Sequence, residues 1–194
     1  MARILIVGGG CRGRALAAQM VGEGHAVRIT TRTEAGRSAI EATGAECFVG
    51  TPDRLATLRA ALESVTIACW LMGTASGDPQ HLRALHSSRL RFFLAQVIDT
   101  TVRGFLYEAS GSDAPRSKAS GSEGPRSRAS GTEAPRSNVS RELLAAGEEI
   151  VRALGQRNAI PVAILADDPG DSGAWLAGAR DALDALLGGR LAWR

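Results

Sequence analysis

The sequence predicts an α/β fold: a single doubly wound parallel β-sheet of about six strands, with helices on both faces. Two observations support this prediction. Short apolar runs rich in β-branched residues alternate with amphipathic segments along the 194 residues, as repeated strand–helix–strand units require. The runs are continuous rather than alternating, which is typical of parallel strands buried on both faces. We expect one domain over residues 1–194, interrupted by a low-complexity insertion at 109–138.

The first strand–helix–strand unit carries a glycine motif. Residues 4–7 form the apolar run ILIV, and Gly8, Gly10 and Gly13 follow it at G-x-G-x-x-G spacing. An amphipathic helix comes next, and a second strand is predicted over residues 26–31. Gly8 allows a tight turn out of the strand, and Gly10 lets backbone approach a pyrophosphate without a Cβ in the way. Gly13 lets the helix pack close to the sheet.

The start of that helix suits a phosphate group, because its unpaired N–H groups and partial positive charge attract anions. We therefore predict a dinucleotide site that is formed by the glycines together with Cys11 and Arg12. The alternative is a tight turn that binds no phosphate. Cys11 itself is either a reactive thiol or a plain small loop residue.

The end of the second strand indicates which dinucleotide to expect. An NAD site usually places Asp or Glu there to accept hydrogen bonds from the ribose hydroxyls. Here Thr31 and Arg32 occupy the position, and the first acid, Glu34, lies in the following loop. Arg32, aided by Thr31, Thr33 or Arg12, suits a 2′-phosphate. The sequence therefore favours NADP over NAD, with a solvated loop charge as the alternative for Arg32.

The next unit runs from a short helix at residues 33–43 to a third strand at 46–49. Asp53 follows, and it suits two compatible roles. It is placed to cap a helix predicted over residues 54–62. Loops after the third strand of such folds also lie beside the adenine ring, so residues 51–53 are predicted to contact it, by analogy of fold.

A fourth buried strand is predicted over residues 65–72, and Gly73 and Thr74 begin the loop that leaves it. This loop is predicted to line the ribose and nicotinamide side of a cofactor, since open parallel sheets bind ligands at the carboxyl ends of their strands. A simple turn is the alternative. Asp78 caps the next helix, which we expect to continue to about Thr101. We expect the two histidines of this helix, His81 and His86, to be exposed polar residues rather than metal ligands.

The fifth strand, residues 102–107, leads into three near-identical units: ASGSDAPRSK, ASGSEGPRSR and ASGTEAPRSN. Without large apolar residues, these units cannot bury enough surface to offset ordering entropy. We expect an inert linker, with a docking segment for a protein partner as the alternative. After it come a helix that begins at the N-cap Ser140, a sixth strand at 160–166 and a closing helix at 174–187.

Composition excludes several classes of function. The net charge of +3 is too small, and its arginines too scattered, to indicate nucleic acid binding. The three cysteines are isolated and lack C-x-x-C spacing, so we expect no zinc site and no disulfide framework. No apolar run reaches membrane-spanning length, and the first strand begins without a preceding signal peptide. We therefore expect a cytoplasmic protein that does not enter membranes.

Five segments carry a resemblance to a known family: RILIVGGGCRG, GTPDRL, VTIACWLMG, FLYEASG and GEEIVRALGQRNAIPVAIL. With them, the chain resembles the atypical short-chain dehydrogenase/reductase superfamily, in particular its compact epimerase-like and NmrA-like NAD(P)-binding members. The resemblance covers most of the chain except the repeats. It implies a Rossmann-like fold that binds NAD(P).

The chain departs from this family at the catalytic residues. Working reductases and epimerases use Tyr-x-x-x-Lys, in which the lysine helps the tyrosine to transfer a proton. Tyr107 and Lys118 are the only residues of their types, and their spacing does not match. Ser110 and Ser112 fall where such enzymes keep a hydroxyl that polarises a carbonyl. Glu108 is another candidate proton carrier, with a surface charge as its alternative.

Three functions follow from these observations. The first is an NADP-dependent oxidoreductase or epimerase-like enzyme whose proton donor is not identified. The second is a non-catalytic NADP(H)-binding redox sensor that acts through a protein partner, as the NmrA-like resemblance implies. The third is a scaffold that has kept the fold and binds no dinucleotide. The missing dyad weakens the first and favours the second.

Overall fold

A computed structural model of the chain describes residues 1–8, 10–54, 56–111 and 137–189. Ser112, Lys118 and nearly all of the repeats lie outside these residues. The predictions for the insertion therefore stay predictions. In the part that is described, no helix is both long and apolar enough to cross a membrane.

Six parallel strands form one sheet in the order β3-β2-β1-β4-β6-β8. A two-stranded antiparallel ribbon is separate from it and pairs β5 with β7. The strands are β1 (Arg3–Val7), β2 (Ala26–Thr31), β3 (Glu46–Val49), β4 (Ile67–Trp70), β5 (Ser76–Gly77), β6 (Gly104–Glu108), β7 (Ser137–Asn138) and β8 (Val162–Leu165). The sheet confirms the predicted α/β class and its six strands.

Seven α-helices accompany the described strands, and two of them begin at predicted caps. Asp78 accepts hydrogen bonds from the backbone N–H groups of Gln80 and His81, and Ser140 accepts one from Leu143. The helices are α1 (Cys11–Gly22), α2 (Arg37–Glu41), α3 (Ala56–Arg59), α4 (Pro79–Leu85), α5 (Ser88–Ile98), α6 (Arg141–Arg157) and α7 (Ser172–Leu187). Short 3-10 turns precede α2 and follow α3.

Two hydrophobic cores lie on opposite faces of the sheet. Ile4 and Ile6 of β1 belong to the core that α1 and α7 cover. Leu5 and Val7 belong to the core beneath α4, α5 and α6. Successive strand residues point to opposite faces, so one strand supplies both cores. This arrangement confirms helices on both faces.

The prediction of one continuous helix from Asp78 to about Thr101 is wrong. The segment divides into α4 and α5 at His86 and Ser87. His86 is also buried, with 1% of its surface exposed, and its ring lies against the hydroxyl of Tyr107. The prediction of an exposed His86 is therefore wrong.

The strand order places a crevice at one edge of the sheet. From β1 the chain proceeds outward to β2 and β3, then crosses back to β4 on the other side of β1. The connections from β1 and β4 therefore diverge at the carboxyl ends of these strands. In open α/β sheets this switch point is where ligands bind.

Candidate functional site

A cleft of about 420 Å³ opens at the carboxyl ends of β1, β2, β4 and β6. It contains the residues predicted for a cofactor, apart from Gly73. They are Gly8, Gly10, Cys11, Arg12, Gly13, Thr31, Arg32, Asp53 and Thr74. Glu108, which was predicted only as a candidate proton carrier, borders the same cleft. The fold thus brings together residues from four loops that are far apart in sequence.

The glycine turn has the geometry that its spacing predicts. Gly8 has φ +97°, and a Cβ there would overlap the carbonyl oxygen of Leu71. A Cβ on Gly13 would lie 3.0 Å from the carbonyl oxygen of Gly8, so α1 passes close to the turn. At Gly10 a Cβ would meet no atom within 4 Å. The backbone at Gly10 therefore faces open space in the cleft.

The N-terminus of α1 is uncapped. Gly10 precedes the helix and provides no side-chain hydrogen bond, and the first turn contains no acidic residue. The N–H groups of the first turn have no partner within the helix itself. Together with the helix dipole they make this end of the cleft attractive to an anion.

The end of β2 lacks a free carboxylate. Glu34 is bound by Arg37, with Nε and Oε2 2.6 Å apart, and this hydrogen bond lowers the pKa of Glu34. Thr31 donates its hydroxyl to the carbonyl of Thr33. Arg32 is exposed, borders the cleft and makes no side-chain hydrogen bond or ion pair with the described residues. This end of the cleft therefore carries an available positive charge.

Asp53 lies at the rim and is held by its neighbours. Its Oδ1 atom is 2.5 Å from Nη1 of Arg89 and 3.3 Å from Nδ1 of His81. Thr51 donates its hydroxyl to Oδ2 of Asp53. These contacts fix the loop after β3 against α4 and α5, so that residues 51–53 form one wall of the cleft.

Glu108 is the most buried charged group of the cleft, with 1% of its surface exposed. Its Oε2 atom accepts the backbone N–H of Gly73 at 2.7 Å. Its Oε1 atom accepts the indole N–H of Trp175 at 2.9 Å and a guanidinium N–H of Arg12 at 3.3 Å. Burial raises the pKa of Glu108, and the Arg12 charge opposes that rise. A surface charge at Glu108 is therefore a wrong alternative.

Arg12 spans the cleft from the start of α1. Its Nη2 atom donates to Oγ1 of Thr74 at 2.7 Å, and Nη1 donates to the carbonyl of Pro169 at 3.3 Å. The guanidinium lies 5.1 Å from the ring centre of Trp175, in the geometry of a cation–π contact. Arg12 was expected beside Arg32 at the β2 end. It lies instead at the β6 end, because Glu108 and Thr74 bind it there.

We call Arg12, Thr74, Glu108 and Trp175 the Arg12 cluster. Trp175 is the member that was not predicted as a site residue, although it lies at the start of the closing helix predicted over 174–187. A buried tryptophan normally finds a hydrogen-bond partner for its indole N–H. The sequence offered one signal for this contact: a tryptophan that needs a hydrogen-bond acceptor, and a glutamate at the end of the fifth strand that can act as one.

Tyr107 does not face the cleft. Its ring is buried in the core beneath α6, and its hydroxyl lies 2.8 Å from Nδ1 of His86 and 3.2 Å from the carbonyl of Leu144. Burial lowers the pKa of His86 to about 4 and raises the pKa of Tyr107. This pair is a polar contact within the core, and neither of its two side chains lines the cleft.

Gly73 and Ser110 lie below and beside the cleft. Gly73 is buried, and a Cβ there would overlap the carbonyl of Ser110, so the loops after β4 and β6 cross in close contact. Ser110 borders a second cavity of about 560 Å³, between the ends of β6 and β8 and the start of α6. The Oγ atom of Ser110 is buried without a partner among the described residues.

Neither metal ligation nor a disulfide is seen among the described residues. No group of three His, Cys, Asp or Glu side chains is placed to hold a metal ion. Cys11 is exposed at the start of α1, and Cys47 and Cys69 are buried, all three as free thiols.

Comparisons with known proteins identify the fold. No family model and no curated protein matches the chain. A short-chain dehydrogenase/reductase superfamily protein from Agrobacterium tumefaciens with bound NAD has 24% identity and a TM-score of 0.59 over 84% of this chain and 48% of its own. UDP-glucuronic acid 4-epimerase from Bacillus cereus, in complex with UDP-glucuronic acid and NAD, has 16% identity and a TM-score of 0.57, over 84% and 55%.

A nucleoside-diphosphate-sugar epimerase from Pseudomonas aeruginosa has 21% identity and a TM-score of 0.55, over 84% of this chain and 51% of its own. The chain spans about half the length of these structures. The matches show that the chain shares the Rossmann-like α/β fold of these proteins.

Proposed function

We propose that the chain binds a nicotinamide dinucleotide in the cleft, and that it favours NADP over NAD. The open space at Gly10, beneath the uncapped N-terminus of α1, is the observation that carries this proposal. A side chain at Gly10 would project into that space, whereas bare backbone N–H groups there suit a pyrophosphate. Two of the similar structures contain bound NAD, which supports the same ligand class.

The choice of NADP rests on the end of β2. Arg32 is exposed at the cleft, and Glu34, the nearest acid in sequence after the strand, is bound by Arg37. A 2′-phosphate gains a charged hydrogen bond from an arginine, whereas a ribose hydroxyl prefers a carboxylate. The available charge at Arg32 therefore supports the phosphorylated cofactor.

Replacing Arg32 tests this choice directly. We expect Arg32→Asp to weaken NADPH binding by about 1–3 kcal/mol, since a hydrogen bond to a charged group is lost and a repulsive charge is added. NADH, which lacks the 2′-phosphate, is the control ligand and should lose much less affinity. Calorimetric titration of both ligands gives the comparison. Unchanged NADPH affinity in the variant would remove the case for NADP.

The proposed activity is that of an oxidoreductase or epimerase-like enzyme. The bound nicotinamide would supply hydride transfer. Within this chain, Glu108 and Ser110 are the described candidates for holding a proton or a substrate hydroxyl, and Ser112 lies outside the described residues. Ser110 has a buried hydroxyl without a described partner beside the second cavity. This free hydroxyl favours a polar substrate group there.

A non-catalytic redox sensor is the second candidate. It is supported by the position of Tyr107, which is buried against His86 and Leu144 rather than at the cleft. Glu108 is also held by three donors, which leaves it poorly placed to exchange protons with a substrate. In this function, the segment at 109–138 would be the docking site for a protein partner.

Titration with NADPH and NADH, followed by fluorescence and melting temperature, tests the proposal. Binding together with turnover of an aldehyde, ketone or nucleotide-sugar substrate supports the enzyme. Loss of that turnover in Ser110→Ala would assign the Ser110 hydroxyl a role in the reaction. Binding without turnover over the whole panel supports the sensor. If neither nucleotide changes fluorescence or melting temperature, the chain is a scaffold and the proposed function is wrong.

A further inference from the structure

The Arg12 cluster lies in the half of the cleft that is opposite the ribose-recognition end. In a doubly wound sheet the residue at the end of β2 contacts the adenosine ribose, and the pyrophosphate rests on the first helix. The remaining half of a dinucleotide then extends over the ends of β4 and β6. Thr74 and Glu108, which follow or end those strands, converge there with Arg12 and Trp175.

The positive member of the cluster faces the cleft, and the negative member lies beneath it. The side chain of Arg12 is 19% exposed, whereas that of Glu108 is 1% exposed. The Glu108 carboxylate is directed toward Gly73 and Trp175 as well as Arg12, so its charge is shared among three donors. A ligand above the cluster therefore meets the cation first.

The two oxidation states of a nicotinamide dinucleotide differ in charge at this half of the molecule. The oxidised ring is a cation, and the reduced ring is neutral, while the adenosine half is the same in both. We propose that Arg12 is a specificity-determining residue, which makes the cleft bind the reduced dinucleotide more tightly than the oxidised one. This inference rests on the proposed function. Repulsion between the guanidinium and a cationic ring is the physical cause.

The other charged groups of the cleft do not compete with this effect. Arg32 lies at the β2 end, where both oxidation states present the same groups. Asp53 is paired with Arg89 and His81 at the rim. Arg14 lies on α1 and borders the cleft, and as a second cation it does not offset the charge of Arg12. Repulsion between the Arg12 guanidinium and the cationic ring at this partly buried site lowers the affinity for the oxidised dinucleotide about tenfold, once partial compensation by Glu108 is included.

Calorimetric titration of NADPH, NADP⁺ and adenosine 2′,5′-bisphosphate against wild type and two Arg12 variants tests the inference. We expect wild type to bind NADPH about tenfold more tightly than NADP⁺. Arg12→Gln keeps polar contact with Thr74 but removes the charge, so the ratio should fall toward one. Arg12→Lys keeps the charge and should keep the preference. The bisphosphate contains only the adenosine half and should bind all three proteins with similar affinity.

The outcomes separate the two proposals. Equal affinities of wild type for NADPH and NADP⁺ would overturn the role of Arg12, and so would an unchanged ratio in Arg12→Gln. Binding of the bisphosphate without binding of either dinucleotide would also overturn it, because Arg12 would then simply fill that half of the cleft. If none of the three ligands binds to wild type, the proposed function itself is wrong.

Discussion

At the scale of single residues, the cleft depends on a carboxylate that is almost fully removed from water. An isolated buried charge is costly, so Glu108 requires its three donors to remain in place. Arg12 contributes a charge and Trp175 contributes a neutral N–H from 67 positions away. Such long-range partners explain why the sequence could place Glu108 at a strand end but could not establish its burial.

Trp175 and Trp70 offer a matched test of this hydrogen bond. Both side chains are buried, but only the indole N–H of Trp175 has a partner, since Nε1 of Trp70 has none among the described residues. We expect Trp175→Phe to lower the free energy of unfolding by about 1–3 kcal/mol more than Trp70→Phe, because a hydrogen bond to a charged group is lost. Urea denaturation measures both. Equal losses would show that the indole N–H does not support Glu108.

Because His86 is buried, we expect the folding stability of the chain to decrease at low pH. The pKa of His86 is lowered by burial from 6.5 to about 4 in the folded chain, so the unfolded chain takes up this proton first as pH falls. The stability contributed by a neutral His86 is therefore complete above pH 6.5 and is lost as pH falls toward 4.

The matched control for this dependence is His86→Gln, in which every other titrating group remains. We expect the free energy of unfolding of wild type relative to this variant to fall by about 3 kcal/mol between pH 7 and pH 4. Denaturant titrations across that range give the difference. A difference that does not change with pH would contradict the buried, neutral state of His86.

At the scale of elements, helix ends were easier to predict than helix continuity. Asp78 and Ser140 were recognised as caps because a cap needs only a side-chain oxygen near the first turn. The break between α4 and α5 was missed, although the apolar positions Leu85 and Leu90 are five residues apart and so depart from the helical spacing of three or four. The polar residues His86 and Ser87 occupy that gap.

Asp171 caps α7, and it was not among the caps predicted from the sequence. Its Oδ1 atom accepts the N–H groups of Gly173 and Ala174, both at 3.0 Å. We expect Asp171→Ala to lower the free energy of unfolding by about 1 kcal/mol, because two N–H groups at the start of α7 lose their acceptor. Asp181→Ala, at an exposed position of the same helix, is the control and should change it by less than about 0.5 kcal/mol. Similar values for the two variants in urea denaturation would contradict the cap.

At the scale of the whole molecule, the sheet was predictable because each strand is marked locally by its apolar run. The glycine turn was predictable for the same reason, since Gly8 and Gly13 act within a few residues of one another. The Arg12 cluster was not, because it joins α1 to β6 across 96 positions. Only the strand order brings these two elements to the same edge, and that order is a property of the complete fold.

The insertion leaves and rejoins the fold at one place. A Cβ on Gly111 would lie 3.5 Å from the carbonyl oxygen of Val139, so the chain on either side of the insertion is in contact. We expect a variant with residues 112–136 replaced by a short glycine linker to keep its stability, or to gain about 1 kcal/mol from the shorter loop. Urea denaturation measures it. A loss beyond about 2 kcal/mol would mean that the insertion packs on the fold.

The pairing of β5 with β7 joins the insertion to the cleft mechanically. Ser76, which borders the cleft, is paired through its backbone with Asn138 at the far end of the insertion. The last residue of the repeats is therefore tied by backbone hydrogen bonds to a residue that borders the cleft. We expect a fluorescent reporter spliced into the insertion to be held near the cleft, so that its signal would report a bound ligand without any label inside the cleft.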